Sequence, residues 1–155
     1  MVKLTLKDGS VKEVENGLTY AEIIKGIGMG LYKAACCVKI NGQVKDLRDV
    51  ADTDGMFEVC TFDSNDGKLA FRHTASHLLA EAVKSLYPEA KLARGPATDS
   101  GFYYDFEVAK PFTPDDLDKI EAEMKRLAKL SEDVERFELS TEEAIKLMEE
   151  KGEIY

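Results

Sequence analysis

Two dipeptides, Asp8-Gly9 and Asn41-Gly42, each set between short runs of strand-forming residues, constrain the first third of this chain more than any other feature. An Asp or Asn followed by Gly between such runs is the strongest short-range signal for a β-hairpin, because the tight turn needs backbone at positive φ. Val2-Lys3-Leu4-Thr5-Leu6-Lys7 is therefore expected to pair with Ser10-Val11-Lys12-Glu13-Val14, and Ala35-Cys36-Cys37-Val38-Lys39-Ile40 with Gln43-Val44-Lys45. Between the hairpins, Thr19 with Glu22 three residues on has the form of a capping box, opening a short helix over Tyr20 to Ile27 that ends near Gly28 or Gly30. Met56 to Thr61 reads as a closing strand. The order β-β-α-β-β-β predicts a small mixed sheet with a helix across one face, an α+β arrangement.

The hydrophobic period then changes. Asp63-Ser64-Asn65-Asp66-Gly67-Lys68 is polar and turn-rich and reads as a linker, placing a boundary between a first domain, residues 1–62, and a second, residues 63–155. Phe71 to Tyr87 has helical periodicity, with Phe71, Ala75, Leu78, Leu79, Ala82 and Leu86 expected on the core side and His73, His77, Glu81 and Lys84 on the other. His73 and His77 are the only histidines of the chain. Four residues apart on a helix, they are neighbours on one face and can converge on one metal, water or substrate.

Pro88 ends that helix, and Arg94-Gly95-Pro96-Ala97-Thr98-Asp99-Ser100-Gly101 reads as a loop. Phe102 to Glu107 reads as a strand with Phe102, Tyr104 and Phe106 on one face. Tyr104 offers a ligand both ring surface and a hydroxyl. Thr113-Pro114-Asp115-Asp116 is a helix start, with Leu117, Ile120, Met124, Leu127 and Ala128 as the apolar stripe of the helix that follows. Glu132 to Leu139 is a further candidate strand, and Ser140 with Glu143 opens a last helix that Gly152 stops.

Several function classes are disfavoured. The three cysteines, Cys36, Cys37 and Cys60, are odd in number and lack Cys-x-x-Cys spacing, which argues for buried free thiols over a disulfide framework or a zinc ribbon. The net charge of −9, most of it after residue 110, offers little of the basic surface that tight sequence-independent nucleic-acid binding uses. Neither an apolar run of about 18 residues nor a basic-then-apolar leader is present, so the expected location is the cytoplasm, without a membrane partner. His73-Thr74-Ala75-Ser76-His77 lacks the Glu that follows the first histidine in zinc proteases, and two imidazoles leave a tetrahedral zinc short of ligands. No metal is therefore expected within this chain. The histidine pair, if functional, is incomplete here or positions a water and substrate hydroxyls without metal.

These residues resemble the bacterial-type threonyl-tRNA synthetase family along the whole chain. Leu4-Thr5-Leu6-Lys7-Asp8-Gly9-Ser10, Gly30-Leu31 and Val38-Lys39-Ile40-Asn41-Gly42 resemble its TGS domain, a ubiquitin-like β-grasp module. Arg72-His73-Thr74-Ala75-Ser76-His77-Leu78-Leu79 and Gly95-Pro96 with Gly101-Phe102-Tyr103-Tyr104-Asp105-Phe106 resemble the first part of its editing domain. The resemblance implies hydrolysis of seryl esters wrongly formed on tRNA(Thr). In that reading His73 and His77 position and activate the attacking water, while Tyr104 and the Gly95-Pro96 backbone hold the terminal adenosine or the seryl group.

Length is the departure from the family. Its second editing motif, Cys-x-x-x-His, would fall beyond Tyr155, as would the lysine and aspartate that accompany it and the aminoacylation domain with its zinc and Mg-ATP. The resemblance thus implies an N-terminal fragment, inactive or nearly so alone and without a cofactor of its own. Its implied partners are the tRNA(Thr) acceptor end and the rest of a homodimeric parent. Two alternatives remain: a non-enzymatic TGS-type module contacting RNA or protein, and an alanyl-type trans-editing hydrolase, which would need a Cys and His motif absent here.

Overall fold

The computed structural model describes residues 1–130 and 135–153. The chain divides into two compact units, Met1–Phe71 and Arg72–Tyr155.

In the first unit, β1 (Val2–Thr5) and β2 (Val11–Val14) form the expected antiparallel hairpin. Gly9 takes φ 83°, and the Asp8 carboxylate accepts from both the amide and the hydroxyl of Ser10. Helix α1 (Tyr20–Ile27) starts with the complete Thr19/Glu22 capping box. Gly28 follows it in extended backbone, and a second short helix, α2 (Met29–Ala34), comes where none was expected. It has no buried residue, so no apolar period announced it. β3 (Ala35–Ile40) and β4 (Gln43–Lys45) turn at Asn41 and Gly42, both at positive φ as a two-residue hairpin requires. The Asn41 side chain also accepts from the Met56 amide and donates to the Asp54 carbonyl, filling the space where Gly55 lacks a Cβ.

β5 (Gly55–Thr61) enters the middle of the sheet, whose order is β2-β1-β5-β3-β4. It runs parallel to β1 and antiparallel to β3, so the sheet is mixed. Tyr20, Ile23 and Ile24 of α1 pack with Val2, Leu4, Val38, Ile40 and Phe57 of the sheet, and the Tyr20 and Phe57 rings stack at 5.9 Å. Fully burying an aliphatic or Phe side chain of this kind contributes about 1.5–3 kcal/mol. This is the β-grasp arrangement, with α1 laid on one face.

β3 carries a bulge at Cys36, between Ala35 and Cys37, so that Cys37 comes opposite Cys60. Cys37 and Cys60 are buried, Cys36 is half-buried, and all three are free thiols.

The polar segment expected to be a linker is instead the start of α3 (Asn65–Leu86). The Ser64 hydroxyl caps it, accepting from the Gly67 amide and donating to the Thr61 carbonyl. A Cβ on Gly67 would overlap that carbonyl, so glycine is needed for the close approach rather than as a breaker. Lys39 pairs with Asp66 at 2.5 Å, and Phe62 meets Phe71 edge-on at 5.2 Å. These contacts tie the first turns of α3 to the sheet, and the division between the units falls inside the helix.

The second unit is α+β as well. β6 (Lys91–Leu92) pairs antiparallel with β9 (Phe106–Glu107), and β7 (Ala97–Thr98) with β8 (Gly101–Phe102). The single strand expected over Phe102 to Glu107 is thus split between two ladders, and the expected loop before it contains a hairpin. α4 (Pro114–Leu130) opens at Thr113, whose amide and hydroxyl both donate to Asp116. Ile120 is its buried residue, with Met124 and Leu127 partly buried. Leu117 and Ala128, expected in the same stripe, are exposed. α5 (Thr141–Glu150) carries the expected Ser140/Glu143 capping box, and Gly152 follows at φ 69°. Of the candidate strand at Glu132 to Leu139, residues 132–134 lie outside the described residues and 135–139 form no strand.

The buried face of α3 matches the expected one in part: Ala82 is buried and Ala75, Leu78 and Leu79 are half-buried. Ser76, Ala80, Ala82 and Val83 are buried, while Phe71 and Leu86 are exposed. At Ser76 the Gly95 carbonyl approaches this face, 2.9 Å from the hydroxyl.

Candidate functional site

α3 presents His73 and His77 one turn apart, at the border of its buried face and exposed to solvent. Their Nε2 atoms are 3.1 Å apart and their rings cross at 88° with centroids 4.6 Å apart. A contact of that length uses one N–H and one lone pair, so the two rings cannot both be protonated while it holds. Partial withdrawal from water, and secondarily the neighbouring His73, hold the His77 pKa below the usual imidazole value. His77 therefore favours the neutral state, in which an imidazole can accept a proton.

Between the histidines in sequence lies Ser76, with no exposed surface. Its Oγ is 2.7 Å from the His73 carbonyl and 2.9 Å from the Gly95 carbonyl, and it donates toward both. Gly95 is in turn covered by the Tyr104 ring: a Cβ built on Gly95 would overlap the ring carbons. Tyr104 stacks on Phe106 at 4.8 Å, and Phe106 meets Phe112 edge-on at 6.0 Å. Burial, and secondarily Glu153, raise the Tyr104 pKa, so its hydroxyl stays protonated and can donate. Pro96, next to Gly95, is exposed. Arg72 adds a second clasp, its Nη1 donating to the carbonyls of Thr98 at 3.0 Å and Asp99 at 2.7 Å in the β7–β8 turn.

The tertiary structure thus links the main-chain carbonyls of His73 and Gly95 through Ser76, with the Tyr104 ring resting on Gly95. The His77 imidazole meets that of His73, and Pro96 lies beside Gly95 in sequence. Sequence reasoning missed Ser76 and gave Arg72 no role. The signal for Ser76 was a helical wheel that sets it among Leu79, Ala80 and Val83, a polar residue on an otherwise apolar arc.

Tyr104 also lines an open concavity of about 500 Å³ with Phe106, Val108, Pro111 and Phe112. Among the described residues no three His, Cys, Asp or Glu side chains converge as metal ligands. No helix among them is long and apolar enough to cross a membrane.

The TGS domain family matches residues 2–61. The threonine–tRNA ligase of Clostridium perfringens (strain ATCC 13124) is 54% identical over 151 residues, covering 97% of this chain and 24% of that protein. Those of Acetivibrio thermocellus and Clostridium botulinum (strain Hall) are 53% and 54% identical over 155 residues, covering all of this chain and 24% of each. The chain therefore spans about a quarter of the length of the curated relatives it matches. With a TGS-domain match at residues 2–61 and more than half of its residues identical essentially from end to end, the chain is similar to an N-terminal region of threonine–tRNA ligases.

Proposed function

We propose that this chain supplies one wall of a proofreading site in a threonine–tRNA ligase, a site that hydrolyses serine wrongly esterified to tRNA(Thr). In this reading residues 1–62 are the TGS domain and residues 63–155 the first part of the editing domain. The chemical need is general. A pocket built for threonine cannot strongly exclude serine, which lacks one methyl, because a methylene-sized difference is worth only about 1–3 kcal/mol. A second, hydrolytic site removes the error.

The observation that carries the reading is the buried Ser76 hydroxyl, at which the helix bearing His73 and His77 meets the Gly95 loop and, through it, Tyr104. His73 and His77 hold and orient a water through their ring nitrogens, and the water attacks the ester carbonyl. The Gly95-Pro96 backbone and the Tyr104 ring and hydroxyl hold the terminal adenosine or the seryl group. Threonine activation by Mg-ATP, and the zinc that goes with it, belong in this reading to the rest of the ligase. The chain alone is expected to be inactive. Its partners in the cytoplasm are the tRNA(Thr) acceptor end and the remainder of a homodimeric enzyme.

The test is deacylation of seryl-tRNA(Thr) by the full-length ligase carrying this region, compared with its His73→Ala and His77→Ala variants. Loss of hydrolysis is the expected result, and undiminished hydrolysis in both variants overturns the proposal.

A further inference from the structure

Ser76 is an unusual choice for its position. It lies in the interior of a helix, where alanine has the higher propensity, and it buries a hydroxyl completely. That hydroxyl has one proton and two carbonyl acceptors within reach, at 2.7 and 2.9 Å. One acceptor, the His73 carbonyl, is the group an α-helix offers to the amide four residues on, which is that of His77. A serine bonding back to such a carbonyl tilts it and bends the turn, here the turn that spaces the two imidazoles. The other acceptor belongs to Gly95, on the loop under the Tyr104 ring. A single proton shared between these two carbonyls couples the spacing of the histidines to the height of the loop.

We propose that Ser76 is a positioning residue: its hydroxyl sets the distance between the histidines that orient water and the Gly95 loop that holds the ester, and so sets the hydrolytic rate. This rests on the proofreading reading above. The residue touches neither substrate nor water. Its effect is to keep the attacking oxygen and the ester carbonyl within near-attack range, where small displacements are costly in rate.

The experiment measures kcat and KM for seryl-tRNA(Thr) deacylation by the full-length ligase with Ser76→Ala and Ser76→Cys, beside His73→Ala and His77→Ala. It also follows the His77 ring through an NMR pH titration in the wild type and both Ser76 variants. The expected outcome is a kcat about tenfold lower in Ser76→Ala, the cost of a small displacement of the attacking water from the ester, with KM within about twofold. Ser76→Cys, with a weaker donor in a similar volume, falls between, and the His77 titration moves most in Ser76→Ala and less in Ser76→Cys. Should Ser76→Ala fold poorly, Ser76→Cys carries the same test. An unchanged kcat in a folded variant, or an effect confined to KM, overturns the proposal. Full hydrolysis by both histidine variants is a different failure, that of the proofreading reading itself.

Discussion

The Nε2 atoms of His73 and His77 lie 3.1 Å apart across one turn of helix. Because withdrawal from water is the larger cause of the lowered His77 pKa and His73 the smaller, the two contributions can be separated. His77 is expected to titrate below about 6.5, the ordinary imidazole value. In His73→Ala its midpoint should rise yet stay below that value. The sign for stability follows: the folded value is depressed, so the neutral ring's contribution is fully present above about pH 6.5 and is lost as pH falls through the lowered folded value. Two-dimensional NMR of the imidazole nitrogens measures the first effect, and urea unfolding at a series of pH values the second.

Gly95 has no room for a side chain because the Tyr104 ring rests on it. Gly95→Ala should destabilise the unit by about 1–3 kcal/mol through overpacking. In a Tyr104→Ala background the same change should cost much less, since the ring that obstructs the methyl is gone. A double-mutant cycle in chemical denaturation reads the coupling, and additive costs would show that the ring and Gly95 do not meet.

The bulge in β3 leaves Cys36 half-buried while Cys37 and Cys60 are enclosed. Burial, and secondarily Cys60, raise the Cys36 thiol, and Cys37 is raised by the same two causes together with further neighbours. Iodoacetamide acts on thiolates, so native protein should react slowly at Cys36, faster as pH rises, and scarcely at Cys37 or Cys60. All three should react promptly in denaturant. Mass spectrometry of peptides after timed labelling gives the order, and early modification of Cys37 would contradict it.

Asp116 closes the first turn of α4. Its carboxylate accepts from the Thr113 amide and hydroxyl, and from the Tyr87 hydroxyl at 2.8 Å. These bonds, with Thr113 contributing most, hold its pKa far below the usual carboxylate range. The stability they confer is present above the ordinary value of about 3.9 and is lost as pH falls through the depressed folded value. Asp116→Asn should lower the thermal midpoint at neutral pH and flatten its fall on acidification. Tyr87→Phe should do so to a smaller degree. Melting curves between pH 2 and 7 provide the check.

Much of the first unit was legible because its signals are local. A positive-φ dipeptide such as Asn41-Gly42 marks its turn whatever surrounds it, and the Thr19/Glu22 and Ser140/Glu143 boxes close within one helical turn. The start of α3 was misread for the opposite reason. Gly67 belongs in a helix there because the Thr61 carbonyl leaves no space for a Cβ, a circumstance that composition does not encode. The histidine spacing, too, could be read directly, since it needs nothing beyond the period of a helix.

By itself the sequence determined the hairpins, the helix caps, the two histidines on one helical face and the family likeness, all of which depend on residues within a turn or two of one another or on motif order. Only the tertiary structure decided which face of α3 is buried, that Ser76 reaches Gly95, that Tyr104 lies on Gly95, and that Arg72 holds the turn at Thr98 and Asp99. The physical reason is separation along the chain. The loop partners of Ser76 and Arg72 lie 19 to 27 residues further along the chain, beyond the reach of any local signal, and are set against α3 only by the fold.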